Sequence, residues 1–360
     1  MNIAIIPSQN ELLNDEIFDI KNGRDNVLER FALLKDELEK KGHFVRTIDK
    51  FEYDKIDLVI FQVLAKAWKY LMQCIKANPK IVIVNYATEP TIIHSLNNKI
   101  ILNSSLFDYV LTWNDNLIDH KKFVETRSFA FNKSVVNMVQ QKDKQNLCVI
   151  NYNKKSNQEG EIYSEREKVI EYFGKNGEID LYGYGWENHP NEIIRKVYLG
   201  PIKSKIDVLK NYRYSIAFEN VNNEPGYICE KMFDSFSAGC IPIFYGAPNV
   251  TELIPKNTFI NYQDFKNLTE LEIFLESIDE KKYSEYLSYI NDFVNSVSFR
   301  KYSSNGFVDS VNNIIDKVDK SKISRKNILK IKCEFIKKMI QYPNIFINDK
   351  RFLYNYFRFW

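Results

Sequence analysis

The stretch from Tyr214 to Gly246, YSIAFENVNNEPGYICEKMFDSFSAGCIPIFYG, gathers charged and polar side chains near a predicted helix start. An apolar strand ends at Glu219, a polar loop follows, and the helix is predicted to begin near Gly226. Free backbone N–H groups and a partial positive charge at such a start attract phosphate. Lys231 could bind a diphosphate there, and Glu230 could accept hydrogen bonds from ribose hydroxyls. The alternative is a capped helix with a solvated Glu–Lys pair, and the spacing alone does not decide between them.

A second candidate for binding an anion is Arg166, in the segment YSEREKVI. It follows the predicted strand LCVINY and lies near the start of the next predicted helix. In a parallel sheet this position faces the carboxyl ends of the strands, so Arg166 and Lys231 could converge on one anion. The alternative is a surface arginine on an acidic helix.

A carboxylate that could move a proton is Glu89, in NYATEPTIIH, directly after a predicted strand and before Pro90. If the chain has two halves facing each other, Glu89 would look across the cleft towards the anion site. It could then act as a general base, provided that partial burial raises its pKa. A solvated loop glutamate is the alternative, and His94 is a weaker candidate for the same role.

The elements that position these residues alternate between strands and helices. Residues 1–140 contain the apolar runs NIAIIP, HFVRTI, IDLVIFQV, KIVIVNY and FDYVLTW, separated by segments with helical spacing. This alternation is typical of a parallel, doubly wound sheet. A second unit of the same kind is predicted over residues 141–318, after a polar linker at Met138 to Asn146. The predicted fold is therefore α/β, with two Rossmann-like domains facing a central cleft.

Composition and missing motifs exclude several classes of protein. With 44% hydrophobic and 27% charged residues, the chain has globular composition. The five cysteines are scattered without CxxC spacing, and the start of the chain lacks the shape of a secretory signal, so we expect a cytoplasmic protein. The absence of Asp-x-Asp argues against a metal-bridged nucleotide-sugar site, and the absence of clustered histidines argues against a histidine metal site. There is no dinucleotide fingerprint, P-loop or GxSxG elbow.

Three segments together resemble a known family. FEN...GYICEKMFDSFSAGCIPIFYGAPNV is similar to the donor-binding signature of the α-1,3-fucosyltransferases, glycosyltransferase family ten, in its bacterial form. YATEP...LFDYVLTWNDN resembles the acceptor-side segment of that family, and CVINYN...SEREKVIEYF resembles the segment that supplies a phosphate-binding arginine. The resemblance extends from about Ile81 to Asn261.

This resemblance implies a two-domain GT-B fold and an inverting, metal-independent transfer of L-fucose from GDP-L-fucose to a glycan hydroxyl. The acceptor would be a bacterial surface polysaccharide or a Lewis-type glycan. Glu89 would be the catalytic base, and Arg166 and Lys231 would hold the diphosphate. The remaining donor-binding residues would be Tyr227 and Glu230 on the nucleotide, with Glu230 on the ribose, and Asn220 beside the sugar.

The sequence departs from the family pattern near the sugar. Val221 stands where the family usually has serine, and the loop from there to Tyr227 is slightly longer and more acidic than expected. Another GDP-deoxyhexose donor therefore stays open. A nucleotide-sugar or glycan-binding protein without catalysis is the alternative of a different class, although a pure binder would need no base.

Residues 319–360 form a basic, aromatic tail. From Lys320 onward it carries eleven lysines and arginines, two acidic residues and nine aromatics, a net charge of +9, whereas the preceding 319 residues sum to −6. Ile328, Ile331, Phe335 and Met339 follow helical spacing. Such a helix suits an anionic membrane surface, which would make the protein peripheral on the inner face of the cytoplasmic membrane. The alternative is a helix packed across the two domains, and no pattern for nucleic-acid binding is present.

Overall fold

The computed structural model describes residues 1–129, 145–319, 321, 323–347 and 349–358. The chain divides into two compact units, which we describe separately. The first unit comprises Met1–Ser128 and Ser304–Trp360, and the second comprises Phe129–Ser303. The predicted boundary at residues 140/141, and all but the last two residues of the predicted linker, lie outside the described residues.

The first unit is built on a six-stranded parallel sheet in the order β2-β1-β3-β4-β5-β6. Its strands are β1 (Asn2–Ile6), β2 (Phe44–Thr47), β3 (Leu58–Phe61), β4 (Val82–Ala87), β5 (Tyr109–Thr112) and β6 (Phe123–Glu125). The helices in this part are α1 (Glu29–Lys40), α2 (Leu64–Ala77) and α3 (Lys99–Leu102). β3 and β4 are buried at every position, because helices cover both faces of a parallel sheet.

The second unit contains another six-stranded parallel sheet, in the order β12-β11-β10-β7-β8-β9. Its strands are β7 (Gln145–Ile150), β8 (Ile179–Tyr182), β9 (Tyr198–Gly200), β10 (Tyr212–Phe218), β11 (Ile241–Tyr245) and β12 (Ile260–Asn261). Its helices are α4 (Tyr163–Gly174), α5 (Glu192–Lys196), α6 (Lys205–Leu209), α7 (Glu230–Ser237), α8 (Val250–Leu253), α9 (Leu268–Glu276) and α10 (Glu280–Val294).

Each sheet has a point at which the chain reverses the direction in which it adds strands. In the first sheet this switch point lies between β1 and β3, and in the second it lies between β7 and β10. Helices on either side of a switch point diverge and leave a crevice at the carboxyl ends of the two strands, where ligands bind in open α/β sheets. The fold therefore provides one candidate crevice in each unit.

After the second unit the chain returns to the first with α11 (Ser304–Lys317), α12 (Ile328–Gln341), α13 (Pro343–Ile347) and α14 (Lys350–Arg358). The apolar face of α11, including Phe307, Val311 and Ile314, packs into the same core cluster as Phe31 and Leu34 of α1. Residues 304–317 thus belong to the first unit and not, as predicted, to the second domain, because their apolar face completes the core of the first unit.

The tail packs its aromatic face onto α2 of the first unit. The Trp68 ring lies 5.0 Å from Phe335, 5.3 Å from Phe352 and 5.1 Å from Tyr356, measured between ring centroids. All four side chains are fully buried. Phe352 and Tyr356 thus line the protein core and do not face a membrane surface, since burying them with Trp68 removes a large apolar surface from water. The packing alternative is correct for these side chains, which pack on the first unit.

Among the described residues, no helix combines the length and the apolar character needed to cross a membrane.

Candidate functional site

The candidate site lies at the switch point of the second sheet, where three segments meet. Arg166 is on α4, which follows β7, while Glu219 and Asn220 directly follow β10. Lys231 lies in the first turn of α7, the helix that connects β10 to β11. Because β7 and β10 are neighbours in the sheet, their carboxyl ends bring these segments together.

Glu219 connects the two predicted anion-binding cations. Its side chain is fully buried, and its backbone carbonyl accepts a hydrogen bond from Arg166. Its carboxylate accepts a hydrogen bond from the Cys229 backbone N–H through Oε1, at 2.6 Å. The other oxygen, Oε2, lies 3.3 Å from Nζ of Lys231. One residue therefore holds both cations in place, and sequence reasoning did not select it as a site residue.

Arg166 is buried rather than on the surface, with 3% of the residue exposed. Its Nη2 donates to the Phe218 carbonyl at 2.8 Å, and its guanidinium lies 5.0 Å from the centroid of the Tyr163 ring. Burial lowers the pKa of the guanidinium, while Tyr163 and Glu219 oppose that shift. Within the described residues, Nε has no hydrogen-bond partner. The alternative of a surface arginine is therefore wrong, and one buried donor is left for a ligand.

Lys231 shares this environment. Its Nζ lies 3.0 Å from Sγ of Cys229, and 16% of its side chain is exposed. Burial alone would lower the pKa of Lys231, but Cys229 and Glu219 outweigh that effect and raise the pKa above its usual range. The positive charge of Arg166 acts in the opposite direction, which indicates that the two cations lie close together. Lys231 is therefore a permanent positive charge beside Arg166 at neutral pH.

Asn220 and Tyr227 extend the network from Arg166. Nη2 of Arg166 donates to Oδ1 of Asn220 at 3.2 Å, and Nδ2 of Asn220 donates to the Tyr227 hydroxyl at 3.1 Å. Tyr227 is 2% exposed. Three of the predicted donor-binding residues thus form one continuous hydrogen-bonded row.

Glu230 has a different partner from the one its position suggests. Its Oε1 lies 2.9 Å from Nζ of Lys205, which also lies 3.1 Å from Oδ2 of Asp234. Burial would raise the pKa of Glu230, but the charges of Lys205 and Lys231 outweigh it and hold that pKa well below its usual range. The alternative of a solvated Glu–Lys pair is therefore wrong for Glu230. It belongs to a cluster in which Lys205 lies between the carboxylates of Glu230 and Asp234. Sequence reasoning missed Lys205, because nothing in its spacing points 25 residues ahead to Glu230.

The start of α7 lies further along the chain than predicted. The helix begins at Glu230 with Cys229 as its N-cap, whereas Gly226 was expected to be near its start. The Glu219 carboxylate already binds the Cys229 N–H at this end. The Glu219 carboxylate therefore occupies part of the site that free N–H groups at the helix start would have offered to an anion. The side chains of Arg166 and Lys231 remain to attract an anionic ligand.

Gly246 is required by its close approach to Glu219. A Cβ atom at this position would lie 2.6 Å from Cγ of Glu219 and 2.7 Å from Cζ of Phe244, too close for either to stay in place. The glycine at the end of β11 therefore makes room for the buried carboxylate. It appears in the quoted stretch, but its role was visible only once Glu219 had been placed.

The departure at Val221 has a structural explanation. Val221 is fully buried and forms an antiparallel bridge with Glu161, which lies just before α4. The backbone of Asn222 donates to the Gly160 carbonyl at 2.9 Å, so the two loops are joined on both sides of the bridge. A buried position in a bridge suits a β-branched apolar side chain.

Glu89 lies in the first unit, just beyond β4. The five predicted donor-binding residues all lie in the second unit. It is half-buried, and its carbonyl accepts a hydrogen bond from Nδ2 of Asn97 at 2.8 Å. The adjacent carbonyl of Thr88 accepts one from Trp113 Nε1 at 2.9 Å, so the backbone of this loop is held on both sides. His94 lies on the same loop and is also half-buried.

In the part of the chain that the structure describes, no group of three or more histidine, cysteine, aspartate or glutamate side chains is arranged to hold a metal ion.

Comparison with known proteins connects this site to a family. Residues 139–332, more than half of the chain, match the sequence model of the glycosyltransferase family 10 (fucosyltransferase) C-terminal domain. The chain belongs to glycosyltransferase family 10. The matched region contains all five predicted donor-binding residues, together with Glu219 and Lys205.

Curated relatives match over shorter segments. An α-(1,3)-fucosyltransferase of Helicobacter pylori, FucT, is 37% identical over 82 residues, which cover 23% of this chain and 16% of the relative. The human 4-galactosyl-N-acetylglucosaminide 3-α-L-fucosyltransferase 9 is 30% identical over 128 residues, covering 35% of this chain and 32% of the relative. The chain thus spans about a sixth to a third of the length of these relatives.

Solved structures match over most of the chain. An α1,3-fucosyltransferase crystallised with GDP superimposes with a TM-score of 0.55 and 16% identity, covering 89% of this chain and 91% of that one. Anabaena HepE in complex with UDP has a TM-score of 0.55 and 10% identity, covering 88% and 100%. At these identities the likeness shows the fold, and the predicted α/β fold of GT-B type is confirmed together with the predicted family.

Proposed function

We propose that this chain transfers L-fucose from GDP-L-fucose to a glycan hydroxyl, with inversion at the anomeric carbon and without a metal ion. The observation that carries this proposal is the buried network in which Glu219 holds Arg166 and Lys231 side by side at the switch point of the second sheet. Two adjacent cations in a crevice suit the diphosphate of a nucleotide sugar, and the family match covers both.

On the donor side, the network stabilises the leaving group. As the bond between the anomeric carbon and the diphosphate oxygen breaks, its electron pair passes to GDP. Arg166 and Lys231 offset the negative charge that develops there, which a metal ion would otherwise do. Since Glu219 already orients both cations, little reorganisation is needed during the reaction.

The other donor-side residues position the nucleotide sugar. Lys205 orients the Glu230 carboxylate through Oε1, which leaves its Oε2 directed to the ribose hydroxyls in this proposal. Tyr227 contacts the nucleotide, and Asn220 lies beside the sugar, fixed between Arg166 and Tyr227.

On the acceptor side, Glu89 removes the proton from the attacking hydroxyl. The oxygen then bonds to the anomeric carbon on the face opposite GDP, which inverts its configuration, and the proton stays on Glu89. The names of the relatives support a 4-galactosyl-N-acetylglucosaminide acceptor and an α-1,3 linkage. A bacterial surface polysaccharide or a Lewis-type glycan contains acceptors of this kind in our proposal.

We place this reaction in the cytoplasm, with peripheral attachment to the inner face of the membrane through the tail, residues 319–360, in which Arg325, Lys330 and Lys337 are exposed. All five cysteines are free thiols, which supports a reducing compartment.

The test is saturation binding and transfer with GDP-fucose, GDP-mannose and UDP-galactose, each with and without EDTA. We expect GDP-fucose to bind selectively, EDTA to change nothing, and NMR of the product to show an α-1,3 linkage to 4-galactosyl-N-acetylglucosamine. Preference for GDP-mannose would point to another GDP-sugar, and binding without transfer would point to a non-catalytic protein. A loss of binding in EDTA would contradict the metal-independent mechanism.

A further inference from the structure

The first unit has its own crevice, at the switch point between β1 and β3. A pocket of about 260 Å³ lies there, beside Ile6 at the end of β1. Helix α2 contributes Lys66 and Lys69 to its wall, and the tail helix α14 contributes Arg351 and Arg358. The tail therefore completes a pocket as well as a core, and four of the lining residues are cations.

The charge balance in this pocket is strongly positive. Burial lowers the pKa of Lys66, the nearby charge of Arg351 lowers it further, and Glu11 opposes both. Within the described residues, neither the Lys66 ammonium nor the Arg351 guanidinium forms a hydrogen bond or an ion pair. Glu11 is the carboxylate that acts on Lys66, and no acidic residue is among the described residues that line the pocket. Lys66 and Arg351 therefore give this concave site a positive potential.

The pocket is held together by a specific contact. Nδ2 of Asn355 on α14 donates to the carbonyl of Ala65, in the first turn of α2, at 2.7 Å. Arg358 is steadied by Tyr354, whose hydroxyl accepts its hydrogen bond at 3.0 Å. The volume corresponds to roughly nine water molecules at ~30 Å³ each, enough for a small anionic group and below the ~300–1,000 Å³ typical of larger ligands.

We infer that this pocket binds a phosphate or diphosphate group carried by the acceptor glycan. This inference rests on the proposed function, in which Glu89 is the base that meets the acceptor hydroxyl. β1, β3 and β4 are neighbours in one sheet, so the ends of β1 and β4 lie about 10 Å apart at ~4.8 Å per strand. Glu89 follows β4, so a short oligosaccharide is long enough to connect an anionic group in the pocket with an accepting hydroxyl at Glu89.

The first experiment measures the binding of inorganic pyrophosphate to the full chain by titration calorimetry, and the same titration of Lys231→Met separates binding at the donor site from binding in this pocket. We expect saturable binding that weakens about tenfold in Arg351→Gln and in Lys66→Gln, as expected for loss of a charge-assisted contact. Lys76→Gln, an exposed lysine further along α2, is the matched control and should bind like the wild type. The inference is overturned if pyrophosphate does not bind, or if Arg351→Gln behaves like Lys76→Gln.

The second experiment identifies the source of the phosphate. With GDP bound, 4-galactosyl-N-acetylglucosamine 1-phosphate should bind at least tenfold more tightly than the unphosphorylated disaccharide, and Arg351→Gln should remove that difference. Equal binding of the two glycans would overturn the inference. If the two glycans bind equally and phosphatidylglycerol vesicles bind the protein in a way that requires Arg351, the ligand is a lipid headgroup, and the inference is also overturned. Both measurements are of binding, so a failure of fucose transfer would count against the proposed function without affecting them.

Discussion

The first sheet adds one strand on one side of β1 and four on the other, whereas the second adds two on one side of β7 and three on the other. Both therefore have a crevice beside their own first strand, but the crevices differ in how their cations are compensated. In the second unit, the Glu219 carboxylate lies 3.3 Å from Lys231, and the Glu219 carbonyl accepts a hydrogen bond from Arg166. In the first unit, the charged groups of Lys66 and Arg351 have no hydrogen-bond or ion-pair partner among the described residues, and Glu11 acts on Lys66 without an ion pair.

The two sites are prepared for their ligands in different ways. A buried pair of cations needs internal partners, because an uncompensated buried charge is costly. The cations of the first unit are half-buried or exposed, so water can solvate them until an anion arrives. The second site is therefore preorganised for developing charge, and the first is suited to binding a group that does not react.

Removal of the proposed base should have the largest effect. Glu89→Gln keeps the size of the side chain but cannot accept a proton, so turnover should fall by roughly 10²–10⁴. GDP affinity, measured by titration calorimetry, should stay within about twofold, since Glu89 belongs to the other unit. Asn97→Ala removes the side chain that donates to the Glu89 carbonyl and serves as a control for loop disturbance. Full activity of Glu89→Gln would show that another group takes the proton.

Removal of the carboxylate that joins the cations should destabilise the second unit. Glu219→Ala leaves Lys231 and the Cys229 N–H without their partner, and the free energy of unfolding should fall by about 3–5 kcal/mol. Urea denaturation followed by fluorescence measures this change. Glu252→Ala removes an exposed glutamate of the same unit and should change stability by less than about 0.5 kcal/mol. Equal effects of the two substitutions would mean that Glu219 does not hold the site.

A methyl group at Gly246 should disturb the same carboxylate from the opposite side. Gly246→Ala places a Cβ atom against Glu219 and Phe244, and such overpacking costs about 1–3 kcal/mol. We expect lower stability and weaker GDP binding together, because Glu219 must shift away from Lys231. If stability falls and GDP affinity stays unchanged, Glu219 can move without affecting the cations.

The pH dependence of the Glu230–Lys205 pair should be the smallest effect. The folded pKa of Glu230 is below its ordinary value, so its contribution is complete above about pH 4.5 and is lost as the pH falls through the folded value. Glu230→Gln should therefore lower the free energy of unfolding by about 1.5 kcal/mol at pH 7, and by less below pH 4. A difference that grows on acidification would contradict the assigned pairing.

The fold could be predicted from the sequence because strands buried on both faces are recognisable as continuous apolar runs. IDLVIFQV and KIVIVNY consist of apolar residues at successive positions, which a parallel sheet requires and a surface strand does not. Arg166 was selected from its position after the strand LCVINY, and Asn220 and Tyr227 were selected through the family motif. The structure places the three in one hydrogen-bonded row.

The remaining features depend on tertiary contacts that no local pattern encodes. Lys205 meets Glu230 only because α6 and α7 pack together, and the start of α7 is displaced because the Glu219 carboxylate binds the Cys229 N–H. The tail is basic and aromatic, a composition that suits a membrane surface and a protein core equally. Only the placement of Trp68 on α2 shows that the core receives Phe352.

The most direct test of the donor site is titration of GDP into two lysine variants, one from each switch point. Lys231→Met removes a charge from the second unit, and Lys66→Gln removes one from the first. We expect GDP binding to weaken at least tenfold in Lys231→Met and to stay unchanged in Lys66→Gln. Unchanged binding in Lys231→Met, or a larger loss in Lys66→Gln, would contradict the placement of the donor site at the switch point of the second sheet.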